Sequence, residues 1–313
     1  MDKIYIVGGG ASGMMAAIQA KTKDNEIILL EKNDRVGKKI LATGNGKCNL
    51  GNENLSVDCY YSKNSSFVEQ VLKRYDTESA VSFFDSIGLK VRSKNGYLYP
   101  YAEQASVVLD VLRMELERRS IQVKPGVQIT DCTPLINKRG YLLKTPDGRS
   151  YEADRVILAC GGPASLKEGG KDGYNILQKL GLKTYPLVPG LVQLRTDGKE
   201  QKALSGVRCK ASLRLFADGI QQGSEQGELQ LTDYGISGIP VFQLSRVAAY
   251  ALRNRKSVMV QIDFTPEYSY DEIVTYLLEQ QNLRKDQTVD ELLTGFLNKK
   301  INLVFLKKCQ IAG

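Results

Sequence analysis

Apolar positions near the start of the chain fall into short runs separated by polar and glycine-rich stretches. KIYIV (3–7) and EIILLE (26–31) are compact, β-branched and bounded by turn residues, which predicts two buried strands. Between them MMAAIQAK (14–21) predicts a helix with a small inner face of Ala16, Ala17 and Ala20. Residues 32–52 break both periods and predict a loop, because they are too polar and glycine-rich for a regular element. Over 65–87 apolar side chains recur at three- and four-residue steps, giving two helices. LKVRSKNGYLYP (89–100) predicts a hairpin turning at Asn95-Gly96. ASVVLDVLRMELERRS (105–120) predicts an amphipathic helix with a core face of Val108, Leu109, Leu112 and Leu116. From residue 121 short β-like runs alternate with turns, a β-meander with a hairpin at Asp147-Gly148 that feeds a buried strand in RVILACGG (155–162). GGKDGYNILQKLGL (169–182) opens with a glycine turn and Asp172 and continues as a helix.

The pattern changes near Leu191. VQLR, ASLRLF and GELQLT alternate with period two up to about Leu231, which marks a mainly β module. LTDYGISGIP (231–240) predicts a polar loop, VFQLSRVAAYALRNR (241–255) a helix and SVMVQIDF (257–264) a strand, and three short amphipathic helices follow from Ser269. The domains expected are 1–190, a nucleotide-binding α/β domain; 191–264, a β-rich insert; and 265–313, a helical subdomain.

The first strand runs straight into glycines at Gly8, Gly10 and Gly13, the spacing G-x-G-x-x-G, with Ala11 and Ser12 between the last two. Gly8 permits a tight turn, Gly10 lets a pyrophosphate approach the backbone, and Gly13 lets the helix pack closely. The helix then presents free N–H groups and its positive dipole end to the phosphates. Glu31 closes the second strand, where a carboxylate accepts hydrogen bonds from ribose hydroxyls. A bare strand–helix turn is the plain alternative; strand, three glycines, helix and acid together favour dinucleotide binding. In the following loop Gly37, Gly44, Gly46 and Gly51 are interspersed with Lys38, Lys39, Thr43, Asn45, Lys47 and Asn49, and Lys32 stands beside Glu31. Such a concentration of backbone N–H groups, hydroxyls and ammonium groups suits an anion.

The 313 residues are 42% hydrophobic and 25% charged, ordinary for a globular protein and enough for two domains. The net charge of +8 is spread along the chain without a basic block, so a solvated surface is expected and no nucleic-acid partner. No run reaches membrane-span length and no signal peptide is visible, which with the cysteine usage suggests a cytoplasmic protein without a membrane partner. Cysteines at 48, 59, 132, 160, 209 and 309 form no C-x-x-C pair and suggest neither a zinc site nor a disulfide framework. The chain has no histidine, which excludes Ser-His-Asp and Cys-His catalysis and histidine metal ligation. No catalytic acid or base stands out.

Four motifs together resemble the HI0933-like (BaiN/YhiN-type) family of FAD-dependent oxidoreductases: GGGASGMMAA (8–17), LLEKNDRVGKKILATGNGKCNLGN (29–52), VILACGG (156–162) with KDGY (171–174), and LTDYGISGIPVFQLS (231–245). The similarity runs along essentially the whole chain. Cys160 stands where such proteins often have threonine, and Asp233-Tyr234 where many carry a histidine, which puts a shared acid–base mechanism in doubt. The resemblance implies an α/β fold: a Rossmann-like two-dinucleotide-binding FAD domain with a β-meander, an inserted β-barrel-like module and a small helical subdomain. It implies that Gly8, Gly10, Ala11, Ser12 and Gly13 hold the FAD pyrophosphate and Glu31, with Lys32 beside it, the ribose. It places Lys39, Thr43, Gly44, Gly46, Cys48 and Asn49 along the way to the isoalloxazine, with Gly37 in the same loop. It puts Val127 in the run that contacts the adenine, Ala159 and Gly161 near the adenosine side, and Asp172 towards the ribityl or phosphate region. The expected activity is hydride transfer between flavin and NAD(P)H or a small organic substrate; relatives linked to bile-acid intermediates and to small amines leave that substrate open. A flavin-binding redox sensor without turnover is the alternative. Disulfide reduction is disfavoured, since Cys48 has no partner before Cys59 and reads as a buried structural thiol. The resemblance also implies a later glycine-rich segment closing over the flavin; none precedes residue 313, so a C-terminally truncated member is expected.

Overall fold

The computed structural model describes residues 1–164 and 172–311, in two compact units, Met1–Thr184 and Tyr185–Gly313. The predicted glycine turn at 169–170 lies outside the described residues.

In the first unit β1 (Asp2–Val7), α1 (Ala11–Ala20) and β2 (Asn25–Leu30) form the expected β–α–β start. A 3-10 turn, Ile40–Gly46, and a short strand β3 (Gly51–Asn52) interrupt the stretch expected to be loop. Helices α2 (Ser65–Arg74) and α3 (Thr77–Ser86), the hairpin of β4 (Val91–Lys94) and β5 (Tyr97–Pro100), and α4 (Ala105–Arg118) fall where the periodicity puts them. The hairpin turns at Asn95 and Gly96, both with positive φ. β6 (Gln122–Lys124) does not belong to the meander; it pairs parallel to β2. β7 (Asp131–Pro134), β8 (Tyr141–Lys144) and β9 (Ser150–Ala153) form that antiparallel meander, and β10 (Arg155–Leu158) pairs parallel to β1. The predicted buried strand at 155–162 is therefore four residues long and only half-buried over 156–158, because an edge strand lacks cover on one side. Helix α5 (Asp172–Lys179) follows.

The resulting parallel sheet has the order β10-β1-β2-β6. Its direction of winding reverses at β1, since β2 lies on one side of β1 and β10 on the other. In open α/β sheets a crevice at such a switch point, at the carboxyl ends of the strands, receives the ligand. One face of the sheet packs on α1 and α4 through Met14, Ile18, Leu109, Leu112 and Leu116. Other residues of the strands, Tyr5, Val7, Ile28 and Leu30, pack with the meander residues Cys132 and Leu143.

One carboxylate fastens α4 to α1. Glu115 is buried, Arg118 and Arg119 donate to it at 2.5–2.6 Å, and Arg119 also donates to the Ile18 carbonyl at 2.9 Å. The Arg118 bond, against the opposing effect of burial, holds the Glu115 carboxyl down at about 2, from an ordinary value of 4.5. A depressed carboxyl stabilises the fold fully above its unfolded value, and the contribution is lost as pH falls through the folded value. Glu115→Gln is therefore expected to cost about 1–2 kcal/mol at pH 7, discounted for the exposed Arg118. It should also flatten the acid limb of stability from pH 4.5 down to about 2, as measured by urea unfolding at a series of pH values.

In the second unit β11 (Leu194–Arg195), a short helix α6 (Gln201–Leu204), β12 (Arg208–Ala217), β13 (Ile220–Thr232) and β14 (Gly235–Ser237) precede α7 (Ile239–Arg253) and β15 (Val258–Asp263). The strands make an antiparallel sheet in the order β11-β14-β13-β12-β15. Ala211, Leu213 and Leu215 alternate inward on β12 against Val241, Leu244 and Ala248 of α7. The stretch 231–240 is not the expected polar loop: it is a strand end, a two-residue turn, buried β14 and the start of α7. Tertiary packing overrides its polar composition. A Cβ on Gly235 (φ +154°) would lie 2.1 Å from the Leu194 carbonyl oxygen, so glycine lets β11 close on β14. Helices α8 (Tyr270–Leu283), α9 (Val289–Leu293) and α10 (Lys299–Lys308) complete the unit, and Ile301 of α10 packs into the core of the sheet. Among the described residues no helix is long and apolar enough to cross a membrane.

Candidate dinucleotide-binding site

The three motif glycines do three different things. Gly8 turns the chain at φ +111°, and a Cβ there would lie 2.4 Å from the Ala159 carbonyl oxygen at the end of β10. A Cβ on Gly13 would come within 1.8 Å of the Gly8 carbonyl oxygen, so α1 seats on the turn itself. Gly10 is the exception: nothing lies within 4 Å of its Cβ position. That space is a cradle at the start of α1, where no side chain caps the helix, no acid sits in the first turn, and Ala11 and Ser12 are exposed. Uncapped N–H groups and the helix dipole both favour an anion there.

Glu31 is buried directly beside this turn. Its Oε2 accepts from the Gly9 N–H at 2.7 Å, and its Oε1 accepts from the Asn33 N–H at 2.8 Å and the Asn33 side-chain amide at 2.5 Å. Carboxylate oxygens have room for further bonds, so the acid can brace the turn and still receive ribose hydroxyls. Gly9, Asn33 and Val36 escape the sequence motif. A Cβ on Gly9 would lie 2.5 Å from Val36 Cγ1 and 3.0 Å from Glu31 Oε2. The uninterrupted Gly8-Gly9-Gly10 run, one glycine more than the motif needs, was the available signal.

The loop after β2 folds back onto this centre. Gly37 donates its N–H to the Gly9 carbonyl at 2.8 Å and is buried beneath Leu109. Lys39 Nζ donates to the Gly162 carbonyl at 2.7 Å, joining this loop to the end of β10 beside Gly161. Lys32 pairs with Asp172 at 3.5 Å, and Gln128 donates to the same carboxylate at 3.1 Å. Thr43, Gly44 and Gly46 are exposed along the 3-10 turn and Asn49 just after it, and Thr43 Oγ1 donates to the Ile40 carbonyl. The main-chain N–H of Val127 donates to the Glu31 carbonyl at 2.9 Å, and that of Ala159 to the Val7 carbonyl at 2.8 Å. The sheet's carboxyl edge thus gathers the glycine turn, Glu31 and Val127 through hydrogen bonds, with Ala159 packed against Gly8.

Cys48 turns its side chain into one core of the unit, as a buried structural thiol does, and Val127 turns its side chain into the other. Asp172 is tied to Lys32 and Gln128. The loop's ammonium groups are largely neutralised: Lys38 pairs with Asp34 and Lys47 with Glu103, each at 2.5 Å, and Lys47 holds the Glu103 carboxyl below its usual range. Attraction for a phosphate therefore falls to the α1 backbone and to Lys39, whose ammonium bonds the Gly162 carbonyl and not an acid. Cys160, beside Gly173, donates to the Val7 carbonyl at 3.5 Å, and burial pushes its thiol up. Cys48→Ser is expected to cost about 1–2 kcal/mol of stability through a buried hydroxyl, with nucleotide affinity unchanged. Urea unfolding beside a nucleotide titration checks both.

A glycine turn, an uncapped helix and a buried acid meeting at a parallel-sheet switch point define the Rossmann class of dinucleotide-binding proteins. Family comparison sharpens this. The model of the HI0933-like protein Rossmann domain matches residues 2–245, and that of the HI0933-like protein barrel and H2TH domain matches residues 188–313. The chain belongs to the HI0933-like family, and it is an oxidoreductase. It is 40% identical over 304 residues, 96% of its length and 74% of the relative's, to the 3-dehydro-bile acid delta(4,6)-reductase of Clostridium scindens. It is 25% identical over 302 residues, 95% of its length and 72% of the relative's, to the ribosomal RNA dihydrouridine synthase of Haemophilus influenzae. Among solved structures, a flavocytochrome c3 fumarate reductase in its open conformation matches 66% of this chain and 46% of its own at 16% identity and a TM-score of 0.44.

Proposed function

We propose that the chain is an FAD-dependent reductase of carbon–carbon double bonds conjugated to a carbonyl, drawing electrons from NADH or NADPH. The observation that carries the cofactor reading is the open cradle at Gly10, with α1 uncapped above it and Glu31 buried beside it. Those residues fit a dinucleotide: the α1 N–H groups would hold the pyrophosphate, and Glu31 the adenosine ribose. Bound FAD supplies the two-electron chemistry, and the protein supplies binding, orientation and exclusion of water. The reaction class comes from the relatives. One is named for reducing the Δ4,6 positions of a steroid, the other for forming dihydrouridine, and saturating C5=C6 of uracil is likewise reduction of a double bond conjugated to a carbonyl. The greater identity to the steroid reductase favours a small-molecule substrate over RNA for this chain. All six cysteines are free thiols, which supports a reducing compartment such as the cytoplasm.

The test starts from the absorption spectrum of the protein titrated with FAD, followed by anaerobic addition of NADH and NADPH separately. Bleaching of bound flavin by one donor, then its recovery on adding a 3-oxo-Δ4 steroid, is the expected result. Failure to bind FAD, or bound flavin that neither donor bleaches, would overturn the reading. Recovery with a uridine-containing RNA and not with the steroid would move the substrate to nucleic acid.

A further inference from the structure

We propose that the second unit holds a separate binding site for an uncharged, mainly apolar small molecule bearing one hydrogen-bonding end. The sheet of this unit is open: β11 and β15 are its two ends, and they do not pair with each other among the described residues. Between them lies a cavity of about 510 Å³, inside the range usual for ligand pockets. Its wall is graded along α7. Ala248 is fully buried at the bottom, and Leu252, one turn on, stands 57% exposed at the mouth. Val258 and Val260 of β15 face in from one side, and Phe305 of α10, 41% exposed, flanks the opening. Apolar side chains left wet around a concave space of this size are what an apolar ligand covers.

The polar end of the cavity sets the ligand's charge. Its rim carries two cations, Arg195 and Lys308, and two acids, Asp197 and Glu200. Lys308 pairs with Glu200 at 3.5 Å, and Gln201 donates to the Thr196 carbonyl and hydroxyl at 2.8 and 2.7 Å. Arg195 lies over the Tyr234 ring, 5.9 Å from its centre. The rim is balanced, so a charged head would lose water without gaining a net counter-charge, while a hydroxyl or carbonyl finds donors and acceptors. The edge of β15 away from β12 adds main-chain N–H and C=O groups that no strand pairs. The inference stands apart from the flavin reading, because every residue it uses lies in the second unit.

The experiment uses N-phenyl-1-naphthylamine, an uncharged fluorescent probe, and its sulfonated analogue 8-anilinonaphthalene-1-sulfonate on the whole chain. Saturable binding of one uncharged probe per chain is expected, about tenfold tighter than the sulfonate, and unaffected by ADP at saturation. Leu252→Glu and Phe305→Glu each place a charge at the mouth and should weaken the probe by at least about tenfold. Leu252 is 57% exposed, so Leu252→Glu should melt close to wild type and suffices for the test; Phe305 also packs edge-on against Phe264 at 5.9 Å, so its variant is read beside a thermal melt. The proposal is overturned if wild type shows no saturable binding, if both variants keep wild-type affinity, or if ADP displaces the probe. Tighter binding of the sulfonate would overturn the uncharged class of ligand.

Discussion

Gly10→Val is expected to give a folded protein that no longer holds FAD. The Cβ position at Gly10 has no neighbour within 4 Å, and the residue sits at φ −80°, which any L-amino acid adopts. An added Cβ therefore meets no protein atom, and valine should change stability by no more than about 1 kcal/mol, as at an ordinary exposed site. It does fill the space in front of the first N–H groups of α1. Losing charge-assisted bonds to a pyrophosphate should cost about 3 kcal/mol, roughly a hundredfold in affinity. Gly13→Ala is the contrasting variant. Its methyl would come within 1.8 Å of the Gly8 carbonyl oxygen, so helix and turn must separate. That overpacking should cost about 3 kcal/mol of stability, seen as a large fall in melting temperature. Thermal melts of both variants, each paired with FAD titration, separate the two roles. A Gly10→Val protein with normal FAD content would show that the glycine turn is structural only.

Glu31→Ala should lose on two counts. The wild-type carboxylate accepts three protein hydrogen bonds, from the Gly9 N–H and from both donors of Asn33. Removing it strands those donors in a buried place, at about 2–3 kcal/mol of stability, and removes the ribose acceptor, at about 1–3 kcal/mol of FAD affinity. Glutamine is no rescue: all three partners are donors, so its amide nitrogen must face one of them. A loosened turn alone would weaken every adenine nucleotide alike. A lost carboxylate also removes repulsion, so the comparison is between ADP and its 2′-phosphorylated form. Wild type should prefer ADP strongly, and Glu31→Ala should narrow that preference by about tenfold. An unchanged ratio between the two nucleotides would leave Glu31 a purely structural brace.

The sequence was read most successfully where its information is local. Turn chemistry, the three-glycine spacing and apolar periodicity depend on neighbours a few residues apart, so β1, α1, β2, α4 and the Asn95-Gly96 hairpin stand where the pattern puts them. The glycine motif also marked the open cradle at Gly10, because a strand, a turn and a helix N-terminus are consecutive in the chain. Distance along the chain marks where that reading stops. Nothing local tells that Gln122–Lys124 joins the parallel sheet at β2 or that β10 comes to lie beside β1. Those pairings place Ala159 against Gly8 and Val127 against Glu31. Side-chain direction is equally non-local. Val127 follows a glycine turn yet points its side chain into a core built by distant strands. The lysines of the loop looked available for an anion until Glu103, brought across by the hairpin, and Asp34 were seen to neutralise two of them. Composition and spacing by themselves thus pointed to a dinucleotide and to the glycine turn as the place for its phosphates. Only the tertiary structure decided which of the remaining candidates face the crevice, since charge pairing and burial depend on which residues the fold brings together.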